Sequence, residues 1–151
     1  MVCLATLSHM NTTLPNLPSE PQGHLVIRTI ALPRDTNSYG DIFGGWLLSQ
    51  MDLGGGIAAK EVVGGRITTV AIDGMRFWYP VHVGDTVCCY ADLVRIGRTS
   101  VSFNITAWAT PIQREHRHCV TQALFTYVAI DAEGRPTPIT RVDSDKQSVG
   151  L

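Results

Sequence analysis

Asp52 is the residue of this chain least at home in ordinary structure, and its neighbours say what it could do. The stretch Asp35 to Lys60, DTNSYGDIFGGWLLSQMDLGGGIAAK, holds the strongest turn signals and the only long helical pattern. Within it Leu47, Leu48, Met51, Gly55, Ala58 and Ala59 recur at three- and four-residue steps and form one apolar face. Ser49, Gln50, Lys60 and Glu61 fall outside that face. Asp52 comes four residues after Leu48 and four before Gly56, on or beside the apolar stripe. A carboxylate there is either paired with an arginine or poised for acid–base or nucleophilic chemistry.

The residues just upstream must position it. Asp35, Thr36, Asn37, Ser38, Gly40 and Asp41 are turn and N-cap types, and the pair Gly44-Gly45 then opens a helix that starts near Phe43 or Gly44. The triplet Gly54-Gly55-Gly56 costs about 1 kcal/mol of helix propensity per glycine relative to alanine, which close approach of another backbone can offset.

The rest reads as a sheet able to wrap that helix. His24 to Leu32 is a first strand stopped by Pro33, and Arg66 to Trp78 a second, bulged at Gly74. Thr86 to Ile96 and Arg98 to Thr110 form a long hairpin about Gly97, and Cys119 to Ile130 is a fifth strand. The order of one strand, one helix and four strands in a meander predicts an α+β domain: an antiparallel sheet of five or six strands with the helix on one face. Residues 1–23 read as a flexible N-terminal arm, 24–140 as a single domain and 141–151 as a polar tail.

Composition narrows the function. At 151 residues the chain is one domain, and 12 basic against 13 acidic residues leave no overall footprint for nucleic acid or an anionic membrane. No apolar run approaches the ~18 residues of a membrane span, and the first ten residues lack a basic region and an apolar core long enough for a signal peptide. Cys3, Cys88, Cys89 and Cys119 include no CxxC pair, so neither metal nor disulfide is expected and the thiols fit a reducing cytoplasm. Cys88 and Cys89 are neighbours on a strand and must point to opposite faces.

The run G-D-I-F-G-G-W-L-L-S-Q-M-D, preceded by P-R-D-T-N and followed by V-A-I-D-G-M-R-F-W-Y-P-V-H-V-G-D, resembles hotdog-fold acyl-CoA thioesterases of the bacterial YciA-like type. The resemblance covers roughly Leu25 to Pro138. It implies a long central helix wrapped by an antiparallel sheet, hydrolysis of acyl-CoA without a cofactor, and assembly into dimers that group as tetramers or hexamers. It also implies that Asp52 is the catalytic carboxylate, as general base on water or as nucleophile giving a mixed anhydride. The backbone N–H of Gly44 or Gly45 would polarise the thioester carbonyl, a task suited to the unpaired amides and positive dipole end of a helix.

Eight residues of helix separate Gly44 from Asp52 by about 12 Å along the axis. A reacting carbon must lie about 3 Å from both oxyanion donor and base. The site therefore needs Gly44 of one helix and Asp52 of another, a homodimer at the least. Thr69 is placed to hydrogen-bond Asp52 or the water. Asn37 and Asp41 are candidates to orient substrate at the mouth, with a turn role for Asn37 and an N-cap or loop-stabilising role for Asp41 as the plain alternatives. Arg95, Gly97, Arg98, Thr99 and Ser100 make a basic, hydroxyl-rich hairpin tip suited to the CoA phosphates, or else a solvated turn. The pair His116 and His118 reads as a polar loop. Trp46, Trp78 and Trp108 read as core or interface anchors, with Trp46 near enough to the helix start to border an acyl pocket.

Two other functions compete. A hotdog hydratase or dehydratase would carry a histidine before the central helix, and none occurs from Pro33 through Val81. A non-catalytic acyl-CoA sensor would need an output module that the chain does not show, and survives only if Asp52 is structural.

Overall fold

The apolar stripe becomes helix α1, Gly44–Val63, in a computed structural model that describes residues 16–113 and 116–140. Leu47, Met51, Gly54, Gly55, Ala58 and Ala59 are its buried positions, the face the spacing predicts but with Leu48 only half-buried. Gly54 and Gly55 are where the sheet comes closest. A Cβ on Gly54 would sit 2.6 Å from the Val26 side chain, and one on Gly55 would sit on the Tyr127 hydroxyl and the tip of Ile105. The propensity lost at these glycines is offset by burying the helix against the strands.

Five strands surround it: β1 His24–Ile30, β2 Ile67–Phe77, β3 Thr86–Ile96, β4 Ser100–Thr110 and β5 His118–Ala129. A short 3-10 turn, Pro33–Asp35, follows β1. The α+β architecture, one helix on a five-stranded antiparallel sheet, is as the sequence predicts. The meander is not. The sheet order is β1-β3-β4-β5-β2, so only β3, β4 and β5 follow one another in space. Helix α1 carries the chain across the sheet, and β2 therefore starts at the edge opposite β1, pairing with β5 alone. The Trp78–Asp85 connection then returns the chain to β3. The predicted bulge is present, since the β2–β5 register shifts between Asp73 and Arg76, around Gly74 at φ 72°.

Two apolar clusters occupy the two faces of the sheet. The larger joins α1 to Val87, Cys89, Val101, Ile105, Phe125 and Tyr127. The smaller, on the outer face, is Trp78, Trp108 and Cys119, with Leu17 and Tyr90 against it. Cys88 and Cys89 do diverge: Cys89 lies in the main core, whereas Cys88 faces the Arg28 side chain. Burial pushes the Cys89 thiol up to about 12 and the Cys119 thiol up to about 11. Outside the described residues lie the expected polar tail, Cys3 and residues 1–15 of the expected arm. Residues 16–23 are described, and there Leu17 meets the tryptophan cluster while Glu20 pairs with Arg117 at 2.8 Å.

Candidate active site

Asp52 sits at the border of the buried face of α1, on the flank turned toward β2. On that flank Thr69 Oγ1 donates to Asp52 Oδ1 at 2.8 Å. The Tyr127 hydroxyl, fully buried, lies 3.3 Å from the same Oδ1 and 3.3 Å from the Asp52 backbone carbonyl oxygen. No arginine or lysine pairs with Asp52 among the described residues. The structural alternative for Asp52, a buried Asp–Arg pair, is thereby set aside. Burial raises the Tyr127 phenol, and the Asp52 charge raises it further, so the phenol stays protonated and a donor at any working pH.

Helix α1 begins without a side-chain cap. Its N-cap is Phe43, with extended backbone, no side-chain cap bond, and no acidic residue in the first turn. The amides of Trp46 and Leu47 both donate to the Phe43 carbonyl. Among the described residues no acceptor meets the amides of Gly44 and Gly45, which stay open at the positive end of the helix dipole. Of the two plain roles for Asp41, the cap is overturned and the loop role remains: its backbone exchanges hydrogen bonds with Asn37, and the cap falls two residues later. Asn37 plays its turn role, its Oδ1 accepting from the amides of Tyr39 at 2.9 Å and Asp41 at 3.2 Å.

The open amides face a cavity of about 600 Å³ walled by Tyr39, Phe43, Leu48, Met75 and Phe77, with Asn37, Gly44 and Gly45 at its border. Phe77 lies over Gly44 and Phe43 over Gly45, so close that a Cβ would meet their rings at 3.3 and 2.7 Å. Asn37 is thus brought to the mouth of the cavity, whereas Asp41 is not among its lining residues. Nor is Trp46, which packs against the main core instead. Trp78 and Trp108 belong to the outer cluster.

The hairpin tip lies at the other end of the helix. Gly97 N–H donates to the Ser100 carbonyl at 2.7 Å, and the Thr99 carbonyl accepts from Ala129, the register partner of Ile67 just after α1. Arg98 accepts from Ile139 through its carbonyl, leaving its exposed guanidinium outside, and Arg95 is exposed at a bulge in β3. A separate cavity of about 440 Å³ between Tyr79, His82, Ile112 and His118 contains none of the predicted site residues. Among the described residues no group of three or more His, Cys, Asp or Glu could hold a metal, and no helix is long and apolar enough to cross a membrane.

Sequence reasoning missed Tyr127, and it missed Phe43 and Phe77 as cavity walls. Tyr127 and Thr69 are register partners on β5 and β2. That pairing depends on β2 crossing to the far edge, which a linear meander does not foresee. The one available signal was general: a buried tyrosine hydroxyl must find a partner.

An uncapped helix opening on an apolar cavity, with a carboxylate held on the flank of the same helix, defines a class that sequence comparison identifies. Residues 39–115 match the thioesterase superfamily, and the chain belongs to that family. More particularly, it is 54% identical over 131 residues to the acyl-CoA thioester hydrolase YciA of Salmonella typhimurium, covering 85% of this chain and 96% of that one. Among solved structures, the hexameric thioesterase y2039 of Yersinia pestis is 52% identical with a TM-score of 0.76, covering 81% of this chain and 99% of that one. HI0827, a hexameric broad specificity acyl-coenzyme A thioesterase, is 46% identical with a TM-score of 0.79, covering 83% and 87%. The fold is the hotdog fold that the sequence motif implies.

Proposed function

We infer that this chain is an acyl-CoA thioester hydrolase that converts acyl-CoA and water to a free acid and CoA, with Asp52 as its catalytic carboxylate. The observation that carries this assignment of Asp52 is its setting: a half-buried carboxylate held by two neutral hydroxyls and, among the described residues, by no cation, so its charge is not spent on an ion pair. The thioester oxygen takes the open amides of Gly44 and Gly45, and the acyl chain enters the adjoining apolar cavity. Asp52 then either removes a proton from the attacking water or attacks the carbonyl carbon itself. In both cases the C–S bond breaks and CoA leaves as the thiolate; in the second, water then cleaves the mixed anhydride, releasing the acid and restoring Asp52. Asn37 positions substrate at the mouth, and Asp41 supports the Asn37 turn. No cofactor enters this chemistry, and the buried thiols suit a cytoplasmic setting.

One helix cannot complete the site, because its own Gly44 and Asp52 stand about 12 Å apart along the axis. The Gly44 end must come from a partner subunit. Two features favour such a partner: β2 is an edge strand among the described residues, and Leu53, Ile57, Val70 and Ile72 are exposed on α1 and β2. The hexameric relatives extend this to a trimer of such dimers. The hairpin tip, Arg95 with Gly97, Arg98, Thr99 and Ser100, lies near the Val63 end of α1, about 16 Å along the axis from Asp52. That spacing suits the tip to hold CoA phosphates while the pantetheine arm reaches Asp52 of the same chain.

The test is release of CoA thiol from short, medium and long acyl-CoAs by the native protein and by Asp52→Asn. A fall of about a thousandfold or more in kcat, with the oligomer intact by sizing, is expected. Unchanged turnover in the Asn variant would sink the mechanism. Binding of acyl-CoA by native protein without any hydrolysis would favour the sensor reading.

A further inference from the structure

Three features bear on Asp52: two hydroxyls on one of its oxygens, which the catalytic reading uses only as neutral partners, and a glycine that it does not use. Thr69 and Tyr127 face each other across β2 and β5, and both hydroxyls are directed to Oδ1, at 2.8 and 3.3 Å. Oδ2 has no partner among the described residues. The Tyr127 ring is fixed by its neighbours: it stacks on Phe125 at 15° and meets Phe103 edge-on at 68°. The third feature is Gly55, one helical turn beyond Asp52. Its missing side chain leaves the space that the Tyr127 hydroxyl fills, because a Cβ there would collide with the hydroxyl oxygen and with Ile105.

We propose that Tyr127 is a positioning residue that completes, beside the Thr69 already expected at Asp52, a clamp on Oδ1, so that Oδ2 alone faces the water or thioester, and that Gly55 exists to admit the phenol. This rests on the reading of Asp52 as the catalytic carboxylate. A carboxylate on a free χ2 presents either oxygen and samples many directions. One with two donors on a single oxygen is held in plane, with the other oxygen's lone pairs aimed one way. The donors come from a cross-strand pair, a rigid support, and the Tyr127 hydroxyl also touches the Asp52 carbonyl and so ties the side chain to its own helix backbone. The Thr69 bond is the shorter, and the buried phenol, kept neutral, adds the second donor. Thr69 sits on the edge strand and closes the clamp from the side where the partner subunit would approach.

The experiment compares the full-length oligomer with Tyr127→Phe, Thr69→Val, Thr69→Ser and Gly55→Ala, measuring kcat and KM for one acyl-CoA alongside sizing and thermal melting. Tyr127→Phe and Thr69→Val are expected to lower kcat about 10- to 100-fold, with KM changed less than about twofold. Thr69→Ser should restore most of the loss, since it keeps the donor. Gly55→Ala should reproduce the Tyr127→Phe loss. Undiminished kcat in a folded Tyr127→Phe oligomer overturns the proposal, and so does a loss confined to KM. Should Tyr127→Phe fail to assemble, the Thr69→Val and Thr69→Ser pair decides alone: equal turnover in the two removes the clamp. Asp52→Asn run in parallel separates the claims. An active Asp52→Asn oligomer defeats the catalytic reading itself, whereas an inactive one beside fully active clamp variants defeats only this inference.

Discussion

At the Val63 end of α1 the chain closes its helix in the usual way. Gly64 enters the left-handed region at φ 70°, its N–H donates to the Lys60 carbonyl, and Lys60 sets a positive charge against the dipole. At the Gly44 end none of this is provided: there is no capping side chain, no acidic residue in the first turn, and two glycines whose amides lack acceptors among the described residues. Both ends belong to one helix of 20 residues, so the contrast does not come from a weak helix. Where the sequence spends a residue on satisfying the backbone, the end is structural. Where it withholds one, the end is free to take a ligand.

Substitutions at the two ends should therefore separate activity from stability. The larger effect on turnover belongs to Gly45→Ala. Its methyl group would press on the Phe43 ring and narrow the approach to the open amides, lowering kcat about 10- to 100-fold. Alanine is also the better helix former, so thermal melting should show no loss of stability. Gly64→Ala should do the reverse, keeping kcat while costing about 1–2 kcal/mol by forcing a Cβ into the left-handed region. In a chain of this size that lowers the melting temperature by a few degrees. An active Gly45→Ala enzyme, or an inactive Gly64→Ala enzyme, would erase the distinction between the ends.

A smaller effect serves as a control beneath the helix. The Cys89 thiol, raised from 9.0 to about 12 by burial, ionises less readily folded than unfolded. Its contribution to stability is complete below about pH 9 and is lost as pH rises from there toward 12. At pH 8, iodoacetamide should alkylate Cys89 and Cys119 far more slowly in native than in urea-unfolded protein, as read by mass spectrometry. Rapid native labelling of Cys89 would mean that the sheet under α1 opens, and that the rigid support of the clamp is absent.

What the sequence made legible follows from how local each signal is. The helix and its buried face rest on a 3.6-residue period, and β3 on turn signals at both ends, so those bounds fall within a residue or two of the structure. Thr69 could be placed beside Asp52 because β2 follows directly on the helix. Tyr127 could not, being 75 residues from Asp52 and brought there by a strand crossing that has no local signature. The cap reading of Asp41 failed, and its loop reading did not, because a capping-type residue stands just upstream of a helix that uses no side-chain cap. Trp46 keeps the core role read for it and not the pocket role suggested by its nearness to Gly45, while Phe77 reaches the cavity from another strand.

The 12 Å between Gly44 and Asp52 also has a genetic meaning. On the proposed two-helix site, an Asp52→Asn subunit still supplies a sound helix start, and a subunit spoiled at Gly45 still supplies a sound carboxylate. Two alleles that are each inactive alone should therefore rescue one another when expressed together. Each mixed dimer would regain one of its two sites, about a quarter of all sites under random pairing. Defects of that kind would be recessive in company and visible only in isolation.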